Sequence, residues 1–420
     1  MADPLGRADV NSLTQRSPIP IQAHLAKYAN GAMTPWLRPG HPYPNGRLPR
    51  GTAINAVTPA DLVEMVAVSG PLHCTDGWSY LARGLTALLA GDGHAARHLA
   101  YYAELRAALS LLASDGIGIF DGRNFVIDAN GAGISLKDRG THDIVWAALR
   151  AWSEQTGTFP RIADAVKISG VKLIDALQSF FPGSVGTALG STLISTWGFD
   201  LSAGANDRDQ RNYSSYVATD LDRLIEPASS DAQFVSDIWR SFEPAAWGLE
   251  RHLLRQMLEL EIASLNADPM SARQGQYDGS DPRLRAAVSF DFLSRATSPQ
   301  EHPIIAAAGD LGSLGAKPML ARAALLLRLS TSLVRANLDK AGVDGLTHLE
   351  DWWAPFGRER GFWSTASAPS DMSELWMEIE DALGDVNAAN TSDRSSMIRS
   401  LQTSLHLTQT DRVPLWSLCA

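Results

Sequence analysis

The sequence has little cysteine and no long apolar run. Its 420 residues include two cysteines, Cys74 and Cys419, too few for a disulfide framework or a four-thiolate zinc site. No apolar run reaches the roughly 20 uncharged residues that span a bilayer, because arginines interrupt the best candidate at 319–334. The first ten residues also lack the basic-then-apolar pattern of a secretory signal. We therefore expect a soluble, cytoplasmic protein that does not enter a membrane.

The chain also lacks an excess of positive charge. It has 36 Lys and Arg against 46 Asp and Glu, which gives a formal net charge of −10 at pH 7. Proteins that bind duplex DNA need a broad basic surface, because phosphate neutralisation supplies most of the affinity. The composition therefore argues against a duplex-DNA protein, whereas a small local basic cleft remains compatible with it.

The familiar short motifs of cofactor and nucleotide chemistry are absent. There is no phosphate-binding loop ending in Gly-Lys-Ser/Thr, no dinucleotide fingerprint and no Gly-x-Ser-x-Gly elbow. His94 and His98 are spaced four residues apart, a spacing that can chelate a metal. No third ligand accompanies them, so a polar helix face is the favoured interpretation. We expect no cofactor and no resident metal.

Prolines are concentrated in residues 1–57. Proline fixes φ and removes a backbone donor, so this stretch is expected to form neither a long helix nor a central strand. Its apolar residues Ile21, Tyr28 and Trp36 favour an arm that lies on the body of the protein. A disordered tail is the alternative.

From residue 58 onward, apolar residues recur at helical spacing. Thr58 and Pro59 are typical of a helix start. Asp121-Gly122, between two short β-branched and aromatic runs, predicts a β-hairpin at 117–127. We predict a mainly α protein, a multi-helix bundle with a small inserted β-hairpin and a helical C-terminal half. The predicted units are the arm 1–57, a helical domain 58–273 and a C-terminal region 283–420.

Two segments carry a resemblance to a known family. Leu99–Phe120 combines the paired tyrosines Tyr101 and Tyr102 with an alanine-rich helix and a Gly-Ile exit, and Gly140–Trp152 opens a helix with Thr-His. Together they resemble the core helices of the HEPN superfamily, over about residues 72–220. The resemblance implies a helical bundle that forms a homodimer and a component of a prokaryotic antiphage defence or toxin–antitoxin system. An ordinary helical core is the alternative explanation of the same residues.

The resemblance also implies a catalytic pair. Ribonucleases of that superfamily carry an arginine that positions the scissile phosphate and, four to six residues later, a histidine that transfers protons. Here Arg211 and Asn212 match the first half, and Tyr216 stands where the histidine would be. A tyrosine hydroxyl, with its usual pKa of about 10, is a poor general base at neutral pH. His142 and His302 are therefore the candidate bases.

The position of the arginine favours an anion site in a second way. Residues 201–210 are polar and contain glycine, which predicts a loop, so Arg211 is expected close to a helix start. Exposed N–H groups at a helix start attract anions. A separate segment places His302 seven residues after Arg295, which is a second, independent Arg/His pair.

The leading hypothesis is a metal-independent endoribonuclease, or an RNA-binding relative of one, whose partners are RNA or a protein of a defence operon. The alternative is a non-catalytic scaffold with a degenerate site. Five tryptophans crowd the last 70 residues, and either core packing or partner recruitment explains them, with packing the commoner use.

Overall fold

The computed structural model describes residues 4–43, 48, 52–137, 139–183, 190–201, 203–216, 227–296, 298, 301–311, 315–364, 368–388, 393–400 and 405–419. Helices dominate these ranges, and the strands form two small antiparallel sheets. The predicted mainly α class is therefore confirmed. Within the same ranges, no helix is long and apolar enough to cross a membrane.

The helices that precede residue 217 are α1 Arg7–Leu13, α2 Ile19–Ala29, α3 Pro59–Leu89, α4 Gly93–Ser114, α5 Thr141–Ser153, α6 Thr158–Ala165, α7 Leu173–Phe180, α8 Gly190–Thr196 and α9 Ala203–Tyr216. The strands are β1 Ile117–Phe120, β2 Arg123–Ile127, β3 Gly133–Ser135, β4 Lys167–Ile168 and β5 Val171–Lys172.

The later helices are α10 Ala228–Ser241, α11 Gly248–Leu265, α12 Gln274–Asp278, α13 Pro282–Ala287, α14 Phe290–Ser294, α15 Pro303–Ala308, α16 Ala316–Lys340, α17 Gly345–His348, α18 Glu350–Glu359, α19 Leu375–Ala388, α20 Arg394–Ser400 and α21 Val413–Leu418. Short 3₁₀ turns occur at Ile54–Ala56, Met270–Ala272, Met372–Glu374, Leu405–Thr408 and Thr410–Arg412.

The centre of the fold is the antiparallel pair α3 and α4, with α16 packed against both. The helix α3 starts as predicted: the Thr58 side chain accepts a hydrogen bond from the Asp61 N–H, with Pro59 in the first turn. Glycines let α16 approach closely. A Cβ on Gly77 would lie 2.5 Å from Leu327. Helix α16 belongs to the predicted region 283–420, so it joins that region directly to the helices of 58–273.

The predicted hairpin is present, and a third strand extends it into a small sheet. Asp121 and Gly122 form its turn with φ of 47° and 88°, the left-handed backbone that a two-residue hairpin turn requires. Phe120 pairs with Arg123, and β3 adds a third antiparallel strand on the other side of β2. The chain then leads into α5, so this sheet sets the beginning of α5 beside α4.

The proline-rich segment contains the two short helices α1 and α2. Helix α2 packs on α3 and α16. The Tyr28 hydroxyl donates to the Trp36 carbonyl at 2.9 Å, and Arg38 forms ion pairs with Asp61 and Glu64 of α3. The described part of this segment thus lies on the helical body.

The segment 203–210 is helical, so the loop predicted there is wrong. The sequence contains glycine, asparagine and aspartate, which have low helix propensity. Tertiary contacts override that preference: Gly204 packs directly on the Trp146 ring, where a Cβ would lie 2.5 Å away. Asp207 forms a two-point ion pair with Arg322 of α16 at 2.7 and 2.9 Å. Helix α9 is therefore packed against α4 and α5 and joined to α16 by this ion pair.

Three tryptophans that are distant in sequence pack together near the C-terminal end of the chain. The ring centroids of Trp239, Trp376 and Trp416 lie 6.3 Å apart pairwise. Trp239 also donates its Nε1–H to the Leu407 carbonyl at 2.8 Å. Trp376 and Trp416, two of the five tryptophans in the last 70 residues, therefore act in packing.

Candidate functional site

Helix α9 lays the guanidinium of Arg211 over the paired tyrosines of α4. Its central carbon is 5.0 Å from the ring centroid of Tyr101 and 5.6 Å from that of Tyr102. Arg211 lies inside α9, so the expectation that it stands at a helix start is wrong. Backbone N–H groups of a helix start therefore play no part, and the cation itself is the anion-binding feature.

The charge of Arg211 is not neutralised by an acidic neighbour. Its Nε is buried and has no hydrogen-bond partner, and in the described ranges no carboxylate lies within 4.0 Å of its guanidinium. Arg208, one turn earlier, differs: it pairs with Asp143 at 2.5 Å and with Asp209 at 3.6 Å. Arg211 is thus the cation of this helix that can receive an added anion.

His142, in the first turn of α5, also contacts Tyr101. The Tyr101 hydroxyl oxygen and His142 Nδ1 are 2.9 Å apart, and the two rings stack with centroids 5.7 Å apart. Burial lowers the pKa of His142, and the positive charges of Arg211 and Arg208 lower it further. The imidazole is therefore neutral at pH 7 and able to accept a proton.

The Tyr101 hydroxyl stays protonated at physiological pH, because burial raises its pKa to about 12. Its hydrogen bond is compatible with either tautomer of the neutral imidazole. When the hydroxyl donates to Nδ1, Nε2 of His142 carries the proton; when Nδ1–H donates to the hydroxyl, Nε2 is free to accept one. The hydrogen bond can therefore hold His142 with Nε2 ready either to donate a proton or to accept one.

The stacking continues beyond these three residues. Tyr80 of α3 stacks on Tyr102 with ring centroids 5.3 Å apart, and the Arg83 guanidinium lies 4.1 Å above the centroid of Tyr80. We call this connected group of side chains the tyrosine–arginine ladder. Its members are Arg83, Tyr80, Tyr102, Arg211, Tyr101 and His142.

A second imidazole borders the ladder. The His98 ring centroid is 5.1 Å from that of Tyr102, and its Nδ1 is 2.9 Å from the Ser215 hydroxyl of α9. Burial and then the Arg211 charge lower its pKa. His94, one turn earlier, bonds to Ser214 instead. The two histidines weighed as a metal pair therefore each contact a serine of α9.

The structure places the remaining predicted site residues differently. Asn212 follows Arg211 on the half-buried part of α9. Tyr216 is 84% exposed, and five helical residues turn it about 140° away from Arg211. Its assignment to the site is therefore not supported by this geometry.

His302 lies in a separate cluster. Its ring centroid is 5.0 Å from that of His252, and the neighbouring Glu301 pairs with Arg255 and Arg295. Burial lowers the pKa of His302 to about 3. None of its described contacts is with the ladder, so His142 is the candidate base that the structure brings to Arg211.

One buried group has the residue types of a metal site. His41, Asp61 and Glu64 place potential ligand atoms within 4.8 Å of one another. The guanidinium of Arg38 already pairs with both carboxylates. The Tyr43 N–H donates to His41 Nδ1 at 2.9 Å, so in the neutral ring Nε2 carries the proton and offers no lone pair. Arg38 therefore takes the place that a cation would occupy.

Sequence reasoning missed several residues around the ladder. His98 precedes Tyr102 by four residues, so helical spacing alone could have placed it on the same face. Tyr80 and Arg83 of α3 carry no local signal, because their relation to α4 depends on helix packing. A cleft beside Tyr102 and His142 adds His73, Arg106 and Arg123.

Comparisons of the chain with protein-family models, curated proteins and solved structures gave no match in any of the three.

Proposed function

We propose that the protein binds RNA at the tyrosine–arginine ladder and cleaves it there without a metal ion, as a component of a prokaryotic defence or toxin-type system. One observation carries the proposal: an un-neutralised guanidinium lies over a tyrosine whose hydroxyl contacts a neutral imidazole. The defence role and a homodimeric state rest on the resemblance to the HEPN superfamily alone.

The ladder suits a flexible RNA strand better than a duplex. Arg211 supplies a planar set of donors for a phosphate. Tyr101 is fully buried, and Tyr80 and Tyr102 stack on each other, so we expect a flexible strand to be held through its phosphate at Arg211 and not by base stacking. A net charge of −10 gives no broad basic surface for a duplex.

The proposed reaction is an internal transfer of the phosphoryl group. The RNA 2′-hydroxyl attacks the adjacent phosphorus, and its proton passes to Nε2 of His142. The bond from phosphorus to the 5′ oxygen breaks, and water protonates the leaving oxygen. The products are a cyclic phosphate and a free 5′-hydroxyl end. Arg211 balances the negative charge on the phosphate in the transition state.

The test uses labelled single-stranded RNA in the presence of EDTA. Arg211→Gln is expected to weaken RNA binding about tenfold, and His142→Gln to slow cleavage about 100-fold or more. Arg295→Gln and His302→Gln are the matched controls, because they alter the other Arg/His pair of the sequence. Undiminished cleavage by the Arg211 and His142 variants would remove the proposal, whereas loss of cleavage in the controls would move it to the second cluster.

The second candidate is a non-catalytic protein that binds RNA or a protein partner. The observation that favours it is the exposed tyrosine at 216, in the position where catalytic relatives of this type would have a histidine. In the same experiment it predicts Arg211-dependent binding with no cleavage products at any protein concentration.

A further inference from the structure

A cleft of about 790 Å³ lies between α3, α4, the β1–β2 hairpin and the start of α5. Leu72, Leu105, Leu109 and Phe120 contribute to a largely aliphatic wall. The volume falls in the range of roughly 300–1,000 Å³ that small-molecule sites occupy. The size and lining therefore suit a small organic ligand with an apolar body.

Arg123 supplies a cation with unused hydrogen-bonding capacity in this cleft. One Nη donates to the Leu48 carbonyl at 2.7 Å, while its Nε is buried and has no hydrogen-bond partner. In the described parts of the chain, no carboxylate lies within 4.0 Å of this guanidinium. Arg123 is half-buried and lines the cleft, so its guanidinium keeps charge and donors for an added acceptor.

Arg106 is the second cation of the cleft, and its charge is already engaged. It pairs with Asp76 at 2.7 Å and donates to Nδ1 of His73 at 3.1 Å. His73 is consequently an acceptor at Nδ1, and its Nε2 carries the proton. Burial lowers the pKa of His73 to about 3, so this ring contributes no charge at neutral pH.

The acidic side chains that line the cleft do not neutralise the positive charge of Arg123. Asp143 is paired with Arg208 at 2.5 Å, and Asp121 is exposed in the hairpin turn. His142, also in the lining, is neutral at pH 7 as described above. The un-neutralised charge inside the cleft is therefore positive and resides on Arg123.

We propose that this cleft is a binding site for a small amphipathic carboxylate, whose carboxylate pairs with Arg123 and whose apolar body lies against Leu105 and Leu109. A guanidinium matches a carboxylate in two-point geometry, and the aliphatic wall gains from covering an alkyl chain. The inference uses no property of RNA, so it stands or falls separately from the proposed ribonuclease.

The direct test is calorimetric titration of the full chain with octanoate. We expect a one-to-one complex with a dissociation constant below about 1 mM. Octanol, which has the same chain without the charge, is expected to bind at least tenfold more weakly. Butyrate, which has the charge and little apolar surface, is also expected to bind at least tenfold more weakly than octanoate.

Two variants assign the binding to the cleft. Arg123→Gln removes the charge, and Leu72→Trp fills the space from a residue that is 37% exposed and so tolerates a larger ring. Each is expected to weaken octanoate binding about tenfold or more. Arg283→Gln is the control, because Arg283 is an exposed arginine that pairs with Asp281 and does not line the cleft. An unchanged melting temperature verifies that each variant is folded.

The proposal is overturned if octanoate does not bind, or if octanol binds equally well. It is also overturned if Arg123→Gln and Leu72→Trp leave octanoate affinity unchanged while folded. Adenosine monophosphate is the comparison ligand. If it binds more tightly than octanoate, the cleft is a nucleotide site and the proposed carboxylate class is wrong. Arg211 does not line the cleft, so these outcomes do not test its role, although Tyr102 and His142 belong to both the cleft and the ladder.

Discussion

The hydroxyl of Tyr101 lies 2.9 Å from Nδ1 of His142, while the face of the same ring carries the Arg211 guanidinium at 5.0 Å. One side chain thus joins the proposed phosphate-binding cation to the proposed base. Its two functions are separable, because the ring serves the arginine and the oxygen serves the histidine.

Replacing Tyr101 by phenylalanine should separate these two functions. The variant keeps the ring beneath Arg211, so RNA affinity should stay within about twofold of the wild-type value. It loses the oxygen that orients His142, so single-turnover cleavage should slow about tenfold. Tyr28→Phe, which removes a hydroxyl bonded to the Trp36 carbonyl, is the control. Equal losses of affinity and rate would contradict the assignment.

The pKa of His142 should depend on Arg211. The positive charge disfavours the imidazolium form, so Arg211→Gln should raise the pKa of His142 toward its ordinary value of 6.5. The imidazole proton resonances in an NMR titration report this directly. For cleavage, the acid limb of the rate profile should move to higher pH in the variant. Arg295→Gln should leave the titration unchanged, and a fall in the pKa of His142 in Arg211→Gln would refute the electrostatic link.

Glu104 should make the folded state less stable as the pH rises. It is completely buried between Asp207 and Arg322, and burial followed by the Asp207 charge raises its pKa well above 4.5. The folded state therefore holds a proton that the unfolded chain releases above pH 4.5, so the free energy of unfolding falls by up to about 1.4 kcal/mol per pH unit until the folded-state pKa is reached.

The variant Glu104→Gln resembles the protonated acid and should remove that dependence. Denaturant unfolding at several pH values should show the variant more stable than the wild type at pH 8. The difference should shrink toward pH 4.5. A difference that is constant across this range would show that Glu104 does not titrate as argued.

Gly204→Ala should disturb the packing of α9 against α5. The added Cβ would lie 2.5 Å from the Trp146 ring, and overpacking of this kind costs about 1–3 kcal/mol of unfolding free energy. RNA affinity should fall as well, because α9 carries Arg211. Gly384→Ala in α19 is the control: nothing lies within 4 Å of its Cβ, so it should be neutral or stabilising by about 0.5–1 kcal/mol. Equal effects of the two substitutions on thermal stability would contradict this packing.

Local signals predicted the parts of the fold that are decided locally. The Thr58 cap, the left-handed Asp121-Gly122 turn and the helical period of α5 each depend on neighbouring residues, and each is present. Helix α9 could not be predicted in this way. Its N-terminal part is helical because Gly204 packs on Trp146 and Asp207 forms an ion pair with Arg322. Trp146 and Arg322 are both distant from α9 in sequence.

The same distinction applies to the candidate site. Sequence patterns single out Arg211, His142 and the paired tyrosines, but they do not show that Tyr101 contacts both Arg211 and His142. The spacing in sequence predicts Tyr216 beside Arg211, whereas helix geometry turns it away. Arg123 comes from a strand beside the hairpin turn, and only the tertiary structure shows that it lines a cleft.

The close fit of α16 against α3 and α4 has a consequence for biosynthesis. Helix α16 begins about 200 residues after α4 ends, and ribosomes add roughly 5–20 residues per second. The nascent chain therefore exposes the surface that Leu327 will cover for roughly 10–40 s of translation. During that interval, chaperones that shield apolar surfaces have the opportunity to bind, and polypeptides truncated before residue 316 should be prone to aggregation.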